Sequence, residues 1–259
     1  MKEKTVRYFK GSIKLSLEHD HPILNQTLYS GFVTQDQLWE FMMRGGHELN
    51  RRCFNWRVKR LVDHGFLKRH VLSNAARSFV YSLTEEGAEE LVNLQECHTA
   101  VVGFYNRNGD GDRMRHAIDV NDIRLTLARR GLLAGWKSDL EVRSQNEFTN
   151  YGYAKDYDAV VTLRLDGQDV PFALEYERQA KARERYVEIA GLIQGERRVS
   201  RFLYLFPEYH LLWFVHQFFQ HTDRRVYFGV SCDFKREVIS TQVVDPVLRH
   251  YTLGEALRT

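Results

Sequence analysis

At 259 residues the chain is long enough for one large domain or two ordinary ones, each with its own core. Its 43% hydrophobic and 27% charged residues are typical of a globular protein in water. The chain has no apolar stretch of membrane-spanning length and no signal-peptide pattern, so we expect a cytoplasmic protein with no membrane partner. The net charge of +3 permits a nucleic-acid partner without requiring one.

The first elements are two predicted helices that follow an N-terminal arm. Residues 1–24 carry mixed charge and a short apolar alternation, which we interpret as an arm or an edge strand. Thr34 is a good N-cap for the first helix, and Gly45-Gly46 ends it. Asn50 opens the second helix, which ends at His64-Gly65.

The second helix is amphipathic, with an apolar stripe that includes Phe54, Val58 and Leu61. Its opposite face is polar and strongly basic. That face carries Arg51, Arg52, Asn55, Arg57, Lys59 and Arg60. A strand, a polar tip, a second strand and a helix capped by Thr84 are predicted to follow.

This order of elements resembles a winged helix-turn-helix domain, here over residues 25–95. The step formed by Val58, Leu61, Gly65, Phe66 and Leu67 agrees with that domain. The resemblance implies that the second helix enters the major groove of double-stranded DNA while the hairpin reaches the neighbouring groove or backbone. It assigns DNA contacts to Arg51, Arg52, Asn55, Arg57 and Lys59 on the helix and to Arg69, His70, Asn74 and Arg77 on the hairpin. The alternatives are a protein-binding winged helix or a basic face that is only solvated.

The second half of the chain is predicted to be an α/β domain, residues 114–259, behind a linker at residues 96–113. A helix that stops at Gly131 precedes a candidate strand at residues 136–145. Beyond residue 178 the predicted elements are a helix at 179–194, a strand at 201–206, a helix at 207–220 and a strand at 225–231. Strands that alternate with helices predict a sheet covered on both faces.

The strongest strand signal is the hairpin at residues 156–178, with Asp166-Gly167 as its two-residue turn. That turn places Asp158 opposite Glu175, whereas a turn shifted by one residue places it opposite Glu177. Either register puts all three carboxylates on one face of the sheet. Facing like charges require a cation, which is either Mg²⁺ or Mn²⁺, or a basic side chain. The basic candidates are Lys155, Arg164, Arg178 and Lys181.

An acid on the second strand and an ExE on the third resemble the restriction-endonuclease-like fold with its PD-(D/E)xK motif. The resemblance implies that Asp158, Glu175 and Glu177 hold Mg²⁺, which activates water and stabilises charge on the scissile phosphate. The chain departs from the motif twice. Tyr157 stands in the proline position and Glu177 in the lysine position, so the catalytic lysine is assigned to Lys181.

The order of the motifs LTEEG, HAIDVNDIRLTL, DYDAV and FALEYER resembles the replication-relaxation family of plasmids and mobile elements, over roughly residues 30 to 205. The resemblance implies DNA binding tied to replication, mobilisation or their control. Two functions remain open. One is a DNA-binding regulator or accessory factor whose degenerate nuclease-like domain serves binding or dimerisation. The other is a Mg²⁺-dependent, nickase-like DNA endonuclease targeted by its winged helix. Because winged helices commonly pair on two half-sites, we expect a homodimer.

Overall fold

The computed structural model describes residues 13–71, 79–94 and 111–258. The chain divides into two compact units, Met1–Ala117 and Ile118–Thr259. The fold is mixed α/β, as predicted, with a small antiparallel sheet in the first unit and a large mixed sheet in the second. Most of the predicted linker lies outside the described residues, and its last three residues begin a helix.

The first unit contains four helices and three strands among its described residues. They are α1 Asp20–Ser30, β1 Val33–Thr34, α2 Gln35–Arg44, α3 Arg51–Asp63, β2 Leu67–Val71, β3 Phe79–Leu83 and α4 Glu85–Asn93. The strand order is β1-β3-β2, and both pairings are antiparallel. The helices bury Ile23, Leu38, Phe54 and Leu91 in the core of the unit.

Three predicted helix starts in the first unit are confirmed by their side-chain caps. Thr34 forms a capping box with Gln37 at the start of α2. The Asn50 carboxamide oxygen accepts the backbone N–H groups of Arg52 and Cys53 at the start of α3. The Thr84 hydroxyl caps α4 in the same way. Each cap satisfies backbone donors that the first turn of a helix leaves without partners.

The interpretation of residues 1–24 as an arm or an edge strand is wrong for residues 20–24, which belong to a helix. Residues 1–12 lie outside the described part, and α1 begins at Asp20, inside the predicted arm. Its buried apolar side chains, Ile23, Leu24 and Leu28, repeat with helical spacing. His19 provides no side-chain cap, so the sequence lacks the usual signal for a helix start.

The second unit is built on a seven-stranded sheet with the order β10-β9-β8-β7-β6-β5-β4. Strands β6, β7 and β8 run parallel, and the other neighbours are antiparallel. The strands are β4 Leu133–Ser138, β5 Ala159–Leu165, β6 Gln168–Tyr176, β7 Arg201–Phe206, β8 Arg225–Val230, β9 Gln242–Val244 and β10 His250–Thr252. Helix α5, Gly111–Arg129, begins before the boundary at Ala117 and continues into this unit. The other helices are α6 Asp139–Phe148, α7 Arg183–Gly195, α8 Tyr209–His216, α9 Ser231–Glu237 and α10 Leu253–Arg258.

Both faces of this sheet are covered, as predicted. Face A carries Val161, Leu163, Phe172 and Leu174 and packs against residues of α5, α9 and α10. Face B packs against residues of α7 and α8. Face B carries Val160, Ala173, Phe202, Tyr204 and Phe228. Burial of each large apolar side chain on either face stabilises the fold by about 1.5–3 kcal/mol.

The central hairpin has the predicted register. Ala159 pairs with Leu174 and Leu165 pairs with Gln168, so Asp166 and Gly167 are the two turn residues. Both have positive φ angles, 49° and 78°, as a tight turn between right-twisted strands requires. The alternative register, shifted by one residue, is therefore wrong.

Two predicted elements of the second unit have different boundaries. The candidate strand at 136–145 ends at Ser138, where helix α6 begins. Ser138 and Glu141 form a capping box, so the segment contains the S-x-x-E signal of a helix start. The helix predicted from residue 179 begins only at Arg183, which leaves Lys181 in the loop before it.

Candidate functional site

Asp158 and Glu175 lie side by side on face B, brought together by the register of β5 and β6. Asp158 directly precedes β5, and its carboxylate accepts the backbone N–H of Tyr176 at 2.7 Å. Glu175 lies near the end of β6 and is buried. Burial, and after it the repulsion between the two neighbouring carboxylates, raises the pKa of Glu175.

Lys155 is the cation that meets Glu175. Its ammonium donates to the Glu175 carboxylate, and the two side chains are only 9% and 8% exposed. The same ammonium donates to the Asp156 carbonyl at 3.1 Å and lies 4.7 Å from the centre of the Tyr157 ring. Burial raises the pKa of Glu175 to about 7, and the Lys155 charge opposes that rise. Glu175 therefore titrates close to neutral pH.

Glu177 has a lysine partner of its own. The Lys181 ammonium donates to its carboxylate at 2.6 Å, from the loop before α7. The Tyr186 hydroxyl of α7 accepts the Lys181 backbone N–H at 3.0 Å and is hydrogen-bonded to Glu177, and burial raises the pKa of this tyrosine to about 12. Lys181, the predicted catalytic lysine, is thus held by Glu177.

Two buried tyrosines flank the carboxylates. Tyr157, in the position expected for proline, donates its hydroxyl to Glu196 at 3.0 Å, and burial raises its pKa. Tyr204 pairs with Glu175 across the parallel strands β6 and β7. Its hydroxyl is buried and has no hydrogen-bond partner among the described residues. Burial and the Glu175 charge both raise the pKa of Tyr204.

These contacts bear on the Mg²⁺ site predicted at Asp158, Glu175 and Glu177. Within the part of the chain that the structure describes, no group of three or more His, Cys, Asp or Glu side chains is arranged to hold a metal ion. Lysine ammonium groups contact two of the three carboxylates instead. The negative charge of these carboxylates was predicted to be neutralised either by a divalent metal ion or by basic side chains. The structure contains the basic side chains, and the metal ion stays a prediction.

In the first unit, helix α3 exposes a narrower set of residues than the sequence predicts. The side chains at helical spacing on its solvent side are Arg52, Asn55, Trp56 and Lys59, all exposed; we call them the exposed stripe of α3. Trp56 is 56% exposed, and the Arg60 guanidinium lies 4.8 Å from the centre of its ring. Helical spacing identifies Trp56 as part of this face, but the predicted DNA contacts included only polar and basic residues and therefore left it out.

Arg57 and Arg60 do not belong to the solvent side of α3, contrary to the sequence prediction. Both guanidinium groups contact the buried carboxylate of Asp20 in α1, and Arg57 also donates to Glu48 at 3.3 Å. The missed helix α1 is the reason, because its aspartate draws the two arginines inward. Both side chains are therefore only partly exposed.

The other charged residues of α3 differ in their partners. Arg51 donates to Asp36, and Lys59 donates to Asp63 one turn further along the helix. Arg52 is exposed and forms no ion pair within the described ranges. A ligand with negative charge can therefore reach Arg52 directly and Lys59 in competition with an exposed aspartate.

A chain of hydrogen bonds orients Asn55 in the exposed stripe. The Tyr81 hydroxyl of β3 donates to the Gln35 carboxamide oxygen at 3.2 Å, and the Gln35 carboxamide nitrogen donates to the Asn55 oxygen at 2.8 Å. The Asn55 nitrogen donates to none of the residues that the structure describes, so it can donate to a ligand.

The β2–β3 hairpin shows a mixed outcome for the predicted contacts. Arg69 is exposed on β2, with its guanidinium 4.6 Å from the centre of the Phe79 ring. His70 is directed inward, since its ring nitrogen lies 2.7 Å from the Ser82 hydroxyl oxygen and burial lowers its pKa. The tip with Asn74 and Arg77 lies outside the described residues.

Comparison with known families shows to which family the chain belongs. A family model described as replication-relaxation matches residues 27–191. The chain belongs to the replication-relaxation family. The matched range includes α3 as well as Asp158, Glu175 and Glu177, so the predicted resemblance is confirmed. No curated protein and no solved structure matches the chain. None of the described helices combines the length and the apolar composition that crossing a membrane requires.

Proposed function

We propose that this replication-relaxation protein binds double-stranded DNA through the exposed stripe of α3, with the first unit acting as a winged helix. The observation that carries the proposal is the stripe itself, in which two cations, a carboxamide and a tryptophan share the solvent side of a capped helix. Cations that meet phosphates supply affinity, and carboxamides that meet base edges supply selectivity.

DNA binding to the exposed stripe of α3 would break only a weak ion pair of the protein. Arg52 needs no rearrangement, and the exposed pair of Lys59 with Asp63 is worth only about 0–1 kcal/mol, so a DNA phosphate can replace the aspartate. Arg57 and Arg60 are different, because each contacts a fully buried carboxylate. We therefore assign these two arginines to holding α3 against α1.

Asn55 is the candidate for base readout. A carboxamide that makes two hydrogen bonds to adenine contributes about 1–3 kcal/mol of discrimination. Since Gln35 and Tyr81 orient the Asn55 side chain before DNA arrives, they act as positioning residues. We assign the exposed Arg69 of the hairpin to a contact with the DNA backbone beside the groove.

Family membership supports a role on a plasmid or mobile element, as a cytoplasmic regulator or accessory factor in replication, mobilisation or transcription. We further propose that a homodimer reads two half-sites. The second unit would then be a degenerate restriction-endonuclease-like domain that serves binding or dimerisation. The Lys155–Glu175 and Lys181–Glu177 ion pairs support this view because each neutralises a carboxylate internally.

Protection of a cysteine tests DNA binding at α3. Cys53 lies exposed beside the stripe, and Cys232 is exposed in the second unit. In a Cys97→Ser background, a mixed-sequence duplex at low salt should slow modification of Cys53 by a thiol reagent. The modification rate of Cys232, and the modification rate of Cys53 without DNA, serve as controls. An unchanged rate at Cys53 under conditions where the duplex is bound would contradict the proposed interface.

A second candidate function is Mg²⁺-dependent cleavage of DNA. It is favoured by the buried Glu175, whose pKa is raised to about 7, next to Asp158 and a Tyr204 hydroxyl that has no hydrogen-bond partner among the described residues. A divalent ion on the two carboxylates would supply activated water and charge stabilisation at the phosphate. For this function, the Glu175 carboxylate must bind the divalent ion in place of the Lys155 ammonium.

Supercoiled plasmid tests this second function. Wild type, Asp158→Ala and Glu175→Ala are compared with Mg²⁺, with Mn²⁺ and with EDTA. Nicking that needs metal and disappears in both variants would establish the nuclease. Intact plasmid under all conditions, with DNA binding retained, supports the degenerate domain.

A further inference from the structure

Two arginines lie directly opposite each other where the neighbouring strands β7 and β8 of the seven-stranded sheet begin. Arg201 begins β7 and Arg225 begins β8, and the two residues are partners in the parallel register. Because side chains alternate along a strand, both share face A with Leu203 and Tyr227, the next residues on that face. Neighbouring strands are about 4.8 Å apart, so the two charges start from adjacent backbone positions.

Neither arginine has a counter-ion in the described part of the chain. The Arg201 Nε is buried and has no hydrogen-bond partner there, and burial and the charge of Arg225 both lower the pKa of Arg201. Arg225 is exposed and forms no ion pair among the same residues. A like-charged pair across a ladder destabilises the sheet, and a buried unsatisfied donor adds to that cost.

Other arginines close by in the sequence show how the fold normally satisfies a guanidinium. Arg224 donates to the backbone carbonyls of Gln194 and Glu196, and Arg198 donates to the carbonyl of Tyr151. These contacts join segments of the chain that are distant in sequence. Arg201 and Arg225 make no such side-chain contact with the residues that the structure describes, so no contact there explains their place in the register.

We propose that Arg201 and Arg225 form a binding site for a phosphate group. Guanidinium groups match phosphate oxygens with paired hydrogen bonds, and an anion between the two would remove their repulsion. Tyr227 lies beside Arg201 on the same face and contributes an aromatic wall. The site is separate from the carboxylates, which occupy face B toward the other end of the parallel strands.

The phosphate has two sources to be distinguished, a phosphodiester of nucleic acid and a free phosphate or phosphorylated small molecule. The proposal is independent of the α3 interface, because it uses residues of the second unit only. If DNA is the source, the second unit contacts the backbone in addition to the contacts of α3.

The first arm of the test uses inorganic phosphate. Thermal unfolding of wild type is followed in sodium phosphate and in sodium chloride of equal ionic strength. We expect a saturable rise of the unfolding midpoint in phosphate, and at least about a tenfold loss of phosphate affinity in Arg225→Ala and Arg201→Gln, since each removes one paired contact. Arg183→Ala removes the same charge from the start of α7 and should keep the wild-type response.

The second arm identifies the source. Duplex binding is measured at low salt with Arg52→Ala/Lys59→Ala, which removes the charges of the α3 stripe, and again with Arg225→Ala added. Further loss of duplex affinity assigns the site to a nucleic-acid phosphate. A phosphate response without such loss assigns it to a free phosphate or phosphorylated small molecule. If Arg225→Ala changes neither phosphate stabilisation nor residual duplex affinity, the proposal is overturned, whatever the α3 variants do.

Discussion

Glu175 is a carboxyl group held between two opposing influences. Burial and the neighbouring charge of Asp158 raise its pKa, while the ammonium groups of Lys155 and Lys181 lower it, with a result of about 7. Because the folded protein binds this proton more tightly than the unfolded chain does, Glu175 stabilises the fold most below its usual pKa. That contribution is lost as the pH rises from the usual pKa through about 7.

Removing the cation should shift this titration. We predict that Lys155→Met raises the pKa of Glu175 above its wild-type value, because burial then acts with less opposition. Titration of the carboxyl carbon by NMR measures the change directly. Lys181→Met is the matched control, with a smaller upward shift. A fall in the pKa of Glu175 in Lys155→Met would contradict the assigned ion pair.

Trp56 separates base contacts from charge contacts within the exposed stripe. We predict that Trp56→Ala weakens duplex binding by about tenfold without changing its salt dependence, since an apolar contact releases no counterions. Fluorescence anisotropy of a labelled duplex at several salt concentrations measures both quantities. Trp213→Ala, which removes an exposed tryptophan from the second unit, should bind as wild type. A changed salt slope in Trp56→Ala would show that the tryptophan acts through its neighbour Arg60.

At the scale of elements, local side-chain chemistry decided several boundaries. Ser138 ends β4 and caps α6, so a segment with some strand character turns into a helix within one residue. Helix α1 has no side-chain cap at its N-terminus, so its start was not predictable from the sequence, although Gly31 with a positive φ angle ends it. Its absence from the prediction also misplaced Arg57 and Arg60, because their partner Asp20 belongs to it.

The cap at Ser138 should be measurable on its own. We predict that Ser138→Ala lowers the free energy of unfolding by about 1 kcal/mol, because the N–H of Glu141 loses its acceptor and the Glu141 carboxylate loses the serine hydroxyl while keeping the backbone N–H of residue 138. Chemical denaturation of the variant measures the loss. Ser200→Ala, at an exposed position before β7, should leave stability within the error of wild type. Equal stability of the two variants would argue against the capping box.

At the scale of the whole molecule, pattern and turn chemistry predicted the central hairpin and the shared face of three acids, and the structure has the first of the two registers that the sequence allowed. They left open what neutralises those acids, because the choice between metal and lysine depends on loops such as the one that holds Lys155. Strands β9 and β10 and helices α9 and α10 are short, with weak periodicity, and were not predicted. The opposed pair Arg201 and Arg225 required the parallel register of β7 and β8, which the sequence does not specify.

The most direct test of DNA binding through α3 is the salt dependence of duplex binding by wild type and by Arg52→Ala/Lys59→Ala. If the exposed stripe of α3 contacts phosphates, the double variant should bind more weakly. The slope of log Kd against log salt should then fall by about 2, since each phosphate contact contributes about 0.9. Arg183→Ala should keep the wild-type slope. Equal affinity and equal slope in wild type and the double variant would contradict DNA binding through α3.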